Sequence, residues 1–424
     1  MEGEVKSMRA LVLAIGALVV VAGCGRVPGV QVTAGDYKLY EAASTSTSNN
    51  LSVIDSRSHS VELNMPLGTP SPDWTHLYTV QGTVVVDLDP RTGAVLHKLQ
   101  LPGSYQLPSA TSSGVPGGLS PNGHWLVLES FDQTPTSLPG ASHLLVLDTT
   151  YATKPKRIDL NGYFTFDAVN NGGDRVYLIE YLSNTGYQVR FYNLGASSGY
   201  LDPTVVFDKS DGSSAMAGIR LSGVPSHDQH WLYSVYVRPD RSAFIHALNL
   251  EGPIAFCIDL PGSGYATNPD EFHWSLAMSA DGLHLYAANG ATGIVADLQT
   301  GDGGPGGLHV GRINPALSGG IFGVQNVAAK EFGGNAAAVS PDGLTLVIAG
   351  PTGIVWVDTR SLTAHDRQLA GWHVWGVAMS PDGATVYAIS DGGMIAEVPM
   401  AGAHSPSTFS GAAGQPLALI KVTA

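Results

Sequence analysis

Two cysteines, Cys24 and Cys257, are all that the 424 residues contain, so a framework of several disulfides is excluded. Charge is scarce as well: 13% of residues are Asp, Glu, Lys or Arg, and 21 bases face 35 acids for a formal net charge of −14. No basic run offsets that sign, and a surface that repels phosphate backbones argues against nucleic acid as a partner. Beyond residue 24 no apolar run approaches the roughly 20 residues that a membrane-spanning helix needs. Compact catalytic signatures are also missing: there is no Gly-x-Ser-x-Gly elbow, His-Glu-x-x-His helix, phosphate-binding loop, EF-hand calcium loop or Ser-x-Asp-x-Gly-x-x-Trp box. Abundant instead are hydrophobic residues, at 44%, and glycine, at 52 positions, which suit a large core cut by many turns and are too apolar for wholesale disorder.

The N-terminus carries an address. Residues 8–24 read MRALVLAIGALVVVAGC: a basic start, an apolar run from Ala10 to Ala22, small residues, then a cysteine. This is the pattern of a secretion signal, and the run is too short to span a bilayer as a helix. Val21-Ala22-Gly23-Cys24 resembles the lipobox of bacterial lipoproteins. That resemblance implies cleavage before Cys24, acylation of its thiol, and a mature chain anchored in the bacterial cell envelope facing outside the cytoplasm. The chain then divides into a signal peptide over 1–23, a lipidated tether over 24–35 and one folded domain over 36–424. Ordinary cleavage nearby, with Cys24 incidental, is the competing reading, and Glu2 and Glu4 make Met8 an alternative start. With Cys24 acylated, Cys257 has no cysteine to pair with. Its alternating context, Ala255 to Asp259, marks it as a small buried hydrophobe rather than an activated thiol.

The rest of the chain repeats. Ser71-Pro72-Asp73, Ser120-Pro121-Asn122-Gly123, Asn170-Asn171-Gly172-Gly173, Ser226-His227-Asp228, Ser279-Ala280-Asp281-Gly282, Ser340-Pro341-Asp342-Gly343 and Ser380-Pro381-Asp382-Gly383 begin 40 to 61 residues apart. The seventh residue after each start is Tyr or Val (Tyr78, Val127, Tyr177, Tyr233, Tyr286, Val347, Tyr387), preceded by Leu or Val. Pro presets φ, Asp or Asn caps through its side chain and Gly accepts positive φ, so each copy is a hairpin turn feeding a strand. A second strand follows, ending in an acid or amide: Asp87, Asp148, Asn193, Asn249, Asp297, Asp358 or Glu397. These are expected to satisfy the turn that follows. A four-stranded unit of this period cannot cover both its faces alone, so the units must stack around an axis and close into an all-β propeller. An eighth copy at Asp36 to Asp55 favours eight blades, while the short gap from Leu63 to Ser71 keeps seven open. The lone terminal strand Pro416 to Val422 would complete the N-terminal unit, closing the ring.

Residues 51–68, LSVIDSRSHSVELNMPLG, and the Ser-Pro-Asp-Gly turns resemble the YVTN and WD-repeat-like propellers of bacterial surface and periplasmic proteins, over about residues 36–422. Asp89-Pro90-Arg91-Thr92-Gly93 and Asp297-Leu298-Gln299-Thr300-Gly301 resemble the corners of pyrroloquinoline-quinone-type propellers. The docking tryptophan is absent, with His97 near its place in the first copy. No cofactor and no metal is expected; His227-x-x-His230 has ligand-like spacing without a third ligand.

In such propellers the long loops open around the channel mouth, here 103–118, 262–272 and 301–334. Two inner strands begin alike there, with Glu271, His273 and Trp274 in one and Trp372, His373 and Trp375 in the other, and Phe332 and Asn335 match in a third. Together these six residues are the expected binding site for an envelope protein or glycan, with the chain acting as a monomer tethered to the membrane. The competing structural reading packs the rings between blades and uses the histidines to cap strands. The alternative function is a propeller enzyme (a lactonase, lyase or oxidoreductase) at the same mouth.

Overall fold

The computed structural model describes residues 35–110, 115–132, 138–182, 186–195, 198–208, 218–301, 303–313, 336–400 and 405–424. Cys24, the signal segment, Phe332 and Asn335 lie outside the described residues. The described chain forms eight sheets in sequence order, antiparallel save for one short outermost strand in the fifth, and so an eight-bladed all-β propeller. Blade 1 is the composite one: Lys38–Ser44, Asn49–Asp55 and Val61–Pro66 take as their inner strand Gln415–Thr423 from the C-terminus. Blades 2 and 4 to 8 follow the order inner, second, third and outer strand, and blade 3 has the last three of these. Their second strands are Leu77–Gln81, Trp125–Phe131, Arg175–Tyr181, Trp231–Val237, His284–Asn289, Thr345–Gly350 and Thr385–Ser390.

Eight blades fit because two of the inner strands are minimal. In blade 2 the gap after Leu63 is filled by Thr69–Pro70, which pairs with Tyr78 and Leu77. Along its inner edge blade 3 keeps isolated bridges, from Leu119 to Leu126 and from Gln106 to Glu129, in place of a strand. Blade 5 has gained an outermost fifth strand, Phe207–Asp208, which runs parallel to Ile254–Asp259.

Adjacent residues of a strand point to opposite faces, yet Leu77 and Tyr78, Val176 and Tyr177, Leu285 and Tyr286, and Val386 and Tyr387 are all buried. Both faces of each blade are therefore covered, and the core is divided into layers between blades. One layer joins Tyr78 and Val85 of blade 2 to Leu128 and Leu145 of blade 3; another joins Tyr387 and Ile389 of blade 8 to Leu39 and Ile54 of blade 1 and Leu419 of the C-terminal strand. Comparable layers fill the other junctions.

The repeated turn is held by its serine. Ser71, Ser120, Ser279 and Ser380 each donate to the side chain two residues on at 2.6 Å, Ser340 does so at 2.5 Å, and Ser226 likewise bonds Asp228. The same hydroxyl accepts the N–H five residues on, from His284 to Ser279 at 3.0 Å for example, which locks the chain into the next strand. The serine hydroxyl also holds the Asp73, Asp281, Asp342 and Asp382 carboxyls below their ordinary value. In blade 4 Asn170 takes the serine's place, with its carbonyl accepting Arg175 N–H at 3.1 Å. The fourth turn residue needs positive φ: Gly282 and Gly343 sit at +72°, whereas Trp74 and Gln229 adopt +57° and +64° at the usual cost to a side chain.

The residues ending the second motif strand divide into two groups. Asp148 accepts Thr150 N–H at 2.9 Å, Asn193 accepts Gly195 N–H at 3.0 Å, Asn249 accepts Glu251 N–H at 2.8 Å and Asp358 accepts Ser361 N–H at 2.8 Å, so these satisfy the following turn. Asp87 and Asp297 instead each lie 3.0 Å from the Nδ1 of His76 and His284. The reason is register: they oppose Tyr78 and Tyr286 inside the ladder, and the strand runs on past them. Glu397, opposite Tyr387, accepts its hydroxyl at 3.0 Å for the same reason.

Candidate functional site

The inner strands of blades 6 and 8, Trp274–Met278 and Val374–Met379, start on the face where each outer strand crosses to the next blade. A short 3-10 turn, Pro269–His273, delivers the chain to blade 6, with the Asn268 side chain accepting Asp270 N–H at 3.2 Å. Glu271 is buried within this segment: Oε1 accepts Ser263 N–H at 3.0 Å and Oε2 accepts Trp274 Nε1–H at 2.9 Å. Gly262 passes so close that an added Cβ would lie 2.5 Å from Oε1. The carboxylate thus braces the loop onto the tryptophan.

The rings take separate places. Trp274 is buried in the layer between blades 5 and 6, and Trp375 in that between blades 8 and 1, beside Tyr37 and Leu419. A register shift between Val374 and Gly376 makes Trp375 the extra residue of a bulge. Trp372 is half-buried against the layer between blades 7 and 8.

His273 and His373 remain at the mouth, and they meet. Their ring centroids are 6.3 Å apart with the planes at 80°, although blade 7 separates their parent blades in the ring. Only near the axis do the first residues of alternate blades come within such reach. His373 Nδ1 lies 3.1 Å from Asp391 Oδ2, and its ring stands 6.3 Å from that of Trp375. Asp391 follows the second strand of the same blade, 18 residues on, and nothing in the local sequence pairs the two; only the hairpin brings them together. A carboxylate acceptor assigns a proton to Nδ1 and fixes the orientation of the ring. Burial, reinforced by the charge of His373, pushes the His273 imidazole down to about 4, so it is neutral at physiological pH. The result is a polar and aromatic mouth that can hydrogen-bond a ligand or move a proton.

Elsewhere, Cys257 lies cross-strand from His246 in blade 5, Sγ 3.6 Å from Nδ1, a contact set by strand register. His97 stacks on Tyr151 of the next blade at 3.8 Å between centroids. His230 approaches Asp228 at 3.6 Å, and among the described residues no group of three or more His, Cys, Asp or Glu is arranged to hold a metal.

No protein-family model and no curated protein matches the chain. Among solved structures, the periplasmic gluconolactonase PpgL of Pseudomonas aeruginosa is similar with 18% identity and a TM-score of 0.45, over 90% of this chain and 98% of that one. Apo AztD from Citrobacter koseri is similar with 11% identity and a TM-score of 0.49, over 92% and 97%. Dihydro-heme d1 dehydrogenase NirN is similar with 13% identity and a TM-score of 0.48, over 88% and 75%. These identities carry neither substrate nor site residues over to this chain.

Proposed function

We propose that the protein is a lipid-anchored bacterial propeller of the YVTN or WD-repeat-like kind that binds a glycan or protein partner outside the cytoplasm, at the mouth formed by His273, His373 and Asp391. The observation that carries this reading is the convergence of His273 and His373 from two non-adjacent blades, with Asp391 orienting one of them. A glycan is favoured over an apolar protein epitope. Of the large hydrophobics exposed among the described residues, Leu182 and Met394 lie on hairpins of the mouth face, but in blades 4 and 8, where they form no shared patch; Val61, Val95, Leu96, Tyr200 and Val310 lie on outermost strands, and Leu283 and Leu344 on the turns of the opposite face.

The test is capture of envelope glycans and proteins by the lipidated protein, compared with His373→Ala and Asp391→Asn. Both positions are at least partly exposed, so the melting transition should be unchanged, while partner affinity falls by about tenfold or more, near 1.4 kcal/mol. Equal capture by wild type and both variants would remove the mouth from the reading.

The lipid anchor rests on the lipobox at residues 21–24. Changing Cys24 to Ser is expected to move the protein from the membrane fraction to the soluble fraction without altering its melting; retention in the membrane would overturn the anchor. The second reading, an enzyme at the same mouth, is supported by the carboxylate-held imidazole of His373, which has the form of an oriented general base. Chemical change of the captured partner, lost in His373→Ala, would select it.

A further inference from the structure

A cavity of about 250 Å³ lies among the inner strands of blades 2 to 5, lined among others by Gly117, Gly118, Phe166, Asp167, Arg220 and Ser234. It shares no residue with the His273 and His373 mouth. Asp167 is a bulge residue: the register of Phe164–Val169 against its neighbour jumps from Phe166 to Ala168. Bulges re-aim one side chain out of the alternating pattern, and they concentrate at functional sites. The aimed carboxylate is 4% exposed. Its Oδ1 pairs with Arg220 Nη1 at 2.9 Å, and Arg220 Nη2 donates to the Ser109 carbonyl at 3.3 Å. Asp167 Oδ2 has no hydrogen-bond partner among the described residues. The other buried carboxylate nearby is committed elsewhere, since Glu129 Oε2 accepts Phe166 N–H at 3.2 Å.

These facts restrict what could fill the cavity. An apolar guest leaves Oδ2 unsatisfied, as it is without a guest, and gains nothing at the carboxylate. An anion meets that oxygen directly. A cation meets an acid already neutralised by Arg220, and would lose its hydration beside a guanidinium without a free negative charge to offset it. An uncharged hydroxyl can donate to Oδ2, and the Ser234 hydroxyl, also on the wall, can serve a second one. The volume falls below the roughly 300–1,000 Å³ of drug-sized pockets, so the guest is small.

We infer that this axial cavity is a second binding site, for a compact uncharged polyol or monosaccharide that donates a hydroxyl to Asp167 Oδ2. The test is titration calorimetry of the full chain with erythritol, D-ribose and, as a charged control of similar size, ethylammonium chloride. Erythritol or D-ribose should bind at one equivalent and ethylammonium should not. Replacing the ion pair in one step, Asp167→Leu with Arg220→Met, avoids stranding a buried charge. That variant is expected to melt cooperatively and to lose affinity for the bound polyol by at least about tenfold. His373→Ala should bind the polyol as wild type does, which separates this site from the mouth. Absence of heat with both polyols, binding of ethylammonium instead, or undiminished polyol binding by the folded double variant would each overturn the inference.

Discussion

Deleting residues 416–424 is expected to abolish the single cooperative melt of the whole ring rather than trim one edge. The deleted segment is the inner strand of blade 1 and pairs with Lys38–Ser44 from Thr423 opposite Lys38 to Pro416 opposite Ala43. Its side chains serve two junctions at once. Leu419 and Val422 fill the layer between blades 8 and 1, and Ala418 fills that between blades 1 and 2. Burying a Leu or Val side chain is worth about 1.5–3 kcal/mol, and each net backbone hydrogen bond about 0.5–1.5 kcal/mol. Losing two such side chains and a ladder removes a sum comparable to the roughly 5–15 kcal/mol net stability of a whole domain. The damage also spreads, because a ring open at one junction exposes strand edges that pair with other chains. Circular dichroism melts and sedimentation of the truncated and full chains decide the matter. An unchanged midpoint with a monomeric sedimentation coefficient would show that the ring holds without its C-terminal strand.

This closure was legible in the sequence because it follows from periodicity: an N-terminal unit short of one strand and a C-terminal strand short of a hairpin can only complete each other. The turn positions were legible for the same reason, since Pro, Asp and Gly each have one use at a fixed offset. The part played by Ser71 and its equivalents was not, because their bond to the N–H five residues on exists only once turn and strand have formed together. Nor was the division between Asp148, which caps a turn, and Asp87, which holds His76, because two residues of register separate the two fates: Asp148 opposes Trp125, five residues after its turn begins, and Asp87 opposes Tyr78, seven after. At the mouth, His273 and His373 stood out in the sequence by the similarity of their strand starts. Asp391 did not, and neither did Asp167 and Arg220, which lie 53 residues apart and meet through a bulge that no local pattern announces.

Glu41→Gln is expected to stabilise the protein at pH 8 and to change little at pH 4.5. Glu41 lies in the closing blade, where the register against the C-terminal strand shifts after Tyr40, and it is 0% exposed. Oε2 accepts Ala412 N–H at 2.7 Å, and Oε1 has no partner among the described residues. Gly411 lies close enough that an added Cβ would stand 2.5 Å from Oε2, so the loop cannot relax away from the carboxyl without giving up its own packing. Burial pushes the group up from the ordinary 4.5 to about 7, against the opposing pull of the Ala412 N–H. The native state therefore holds a proton between about pH 4.5 and 7 that the unfolded chain has released, and stability falls as pH rises through that window. The contribution is fully present below the lower value and lost above the upper one. At 1.36 kcal/mol per pH unit the ceiling is about 3 kcal/mol. Glutamine keeps the shape and the carbonyl that accepts from Ala412 but carries no charge at any pH, so it escapes this loss. Other carboxylates contribute equally to both proteins and cancel in the difference. Urea unfolding of wild type and variant at the two pH values should show a gap that opens by about 2–3 kcal/mol towards pH 8. Parallel pH profiles would mean that Glu41 titrates in the folded ring as it does in the unfolded chain, and that its burial is relieved by contacts other than the one with Ala412.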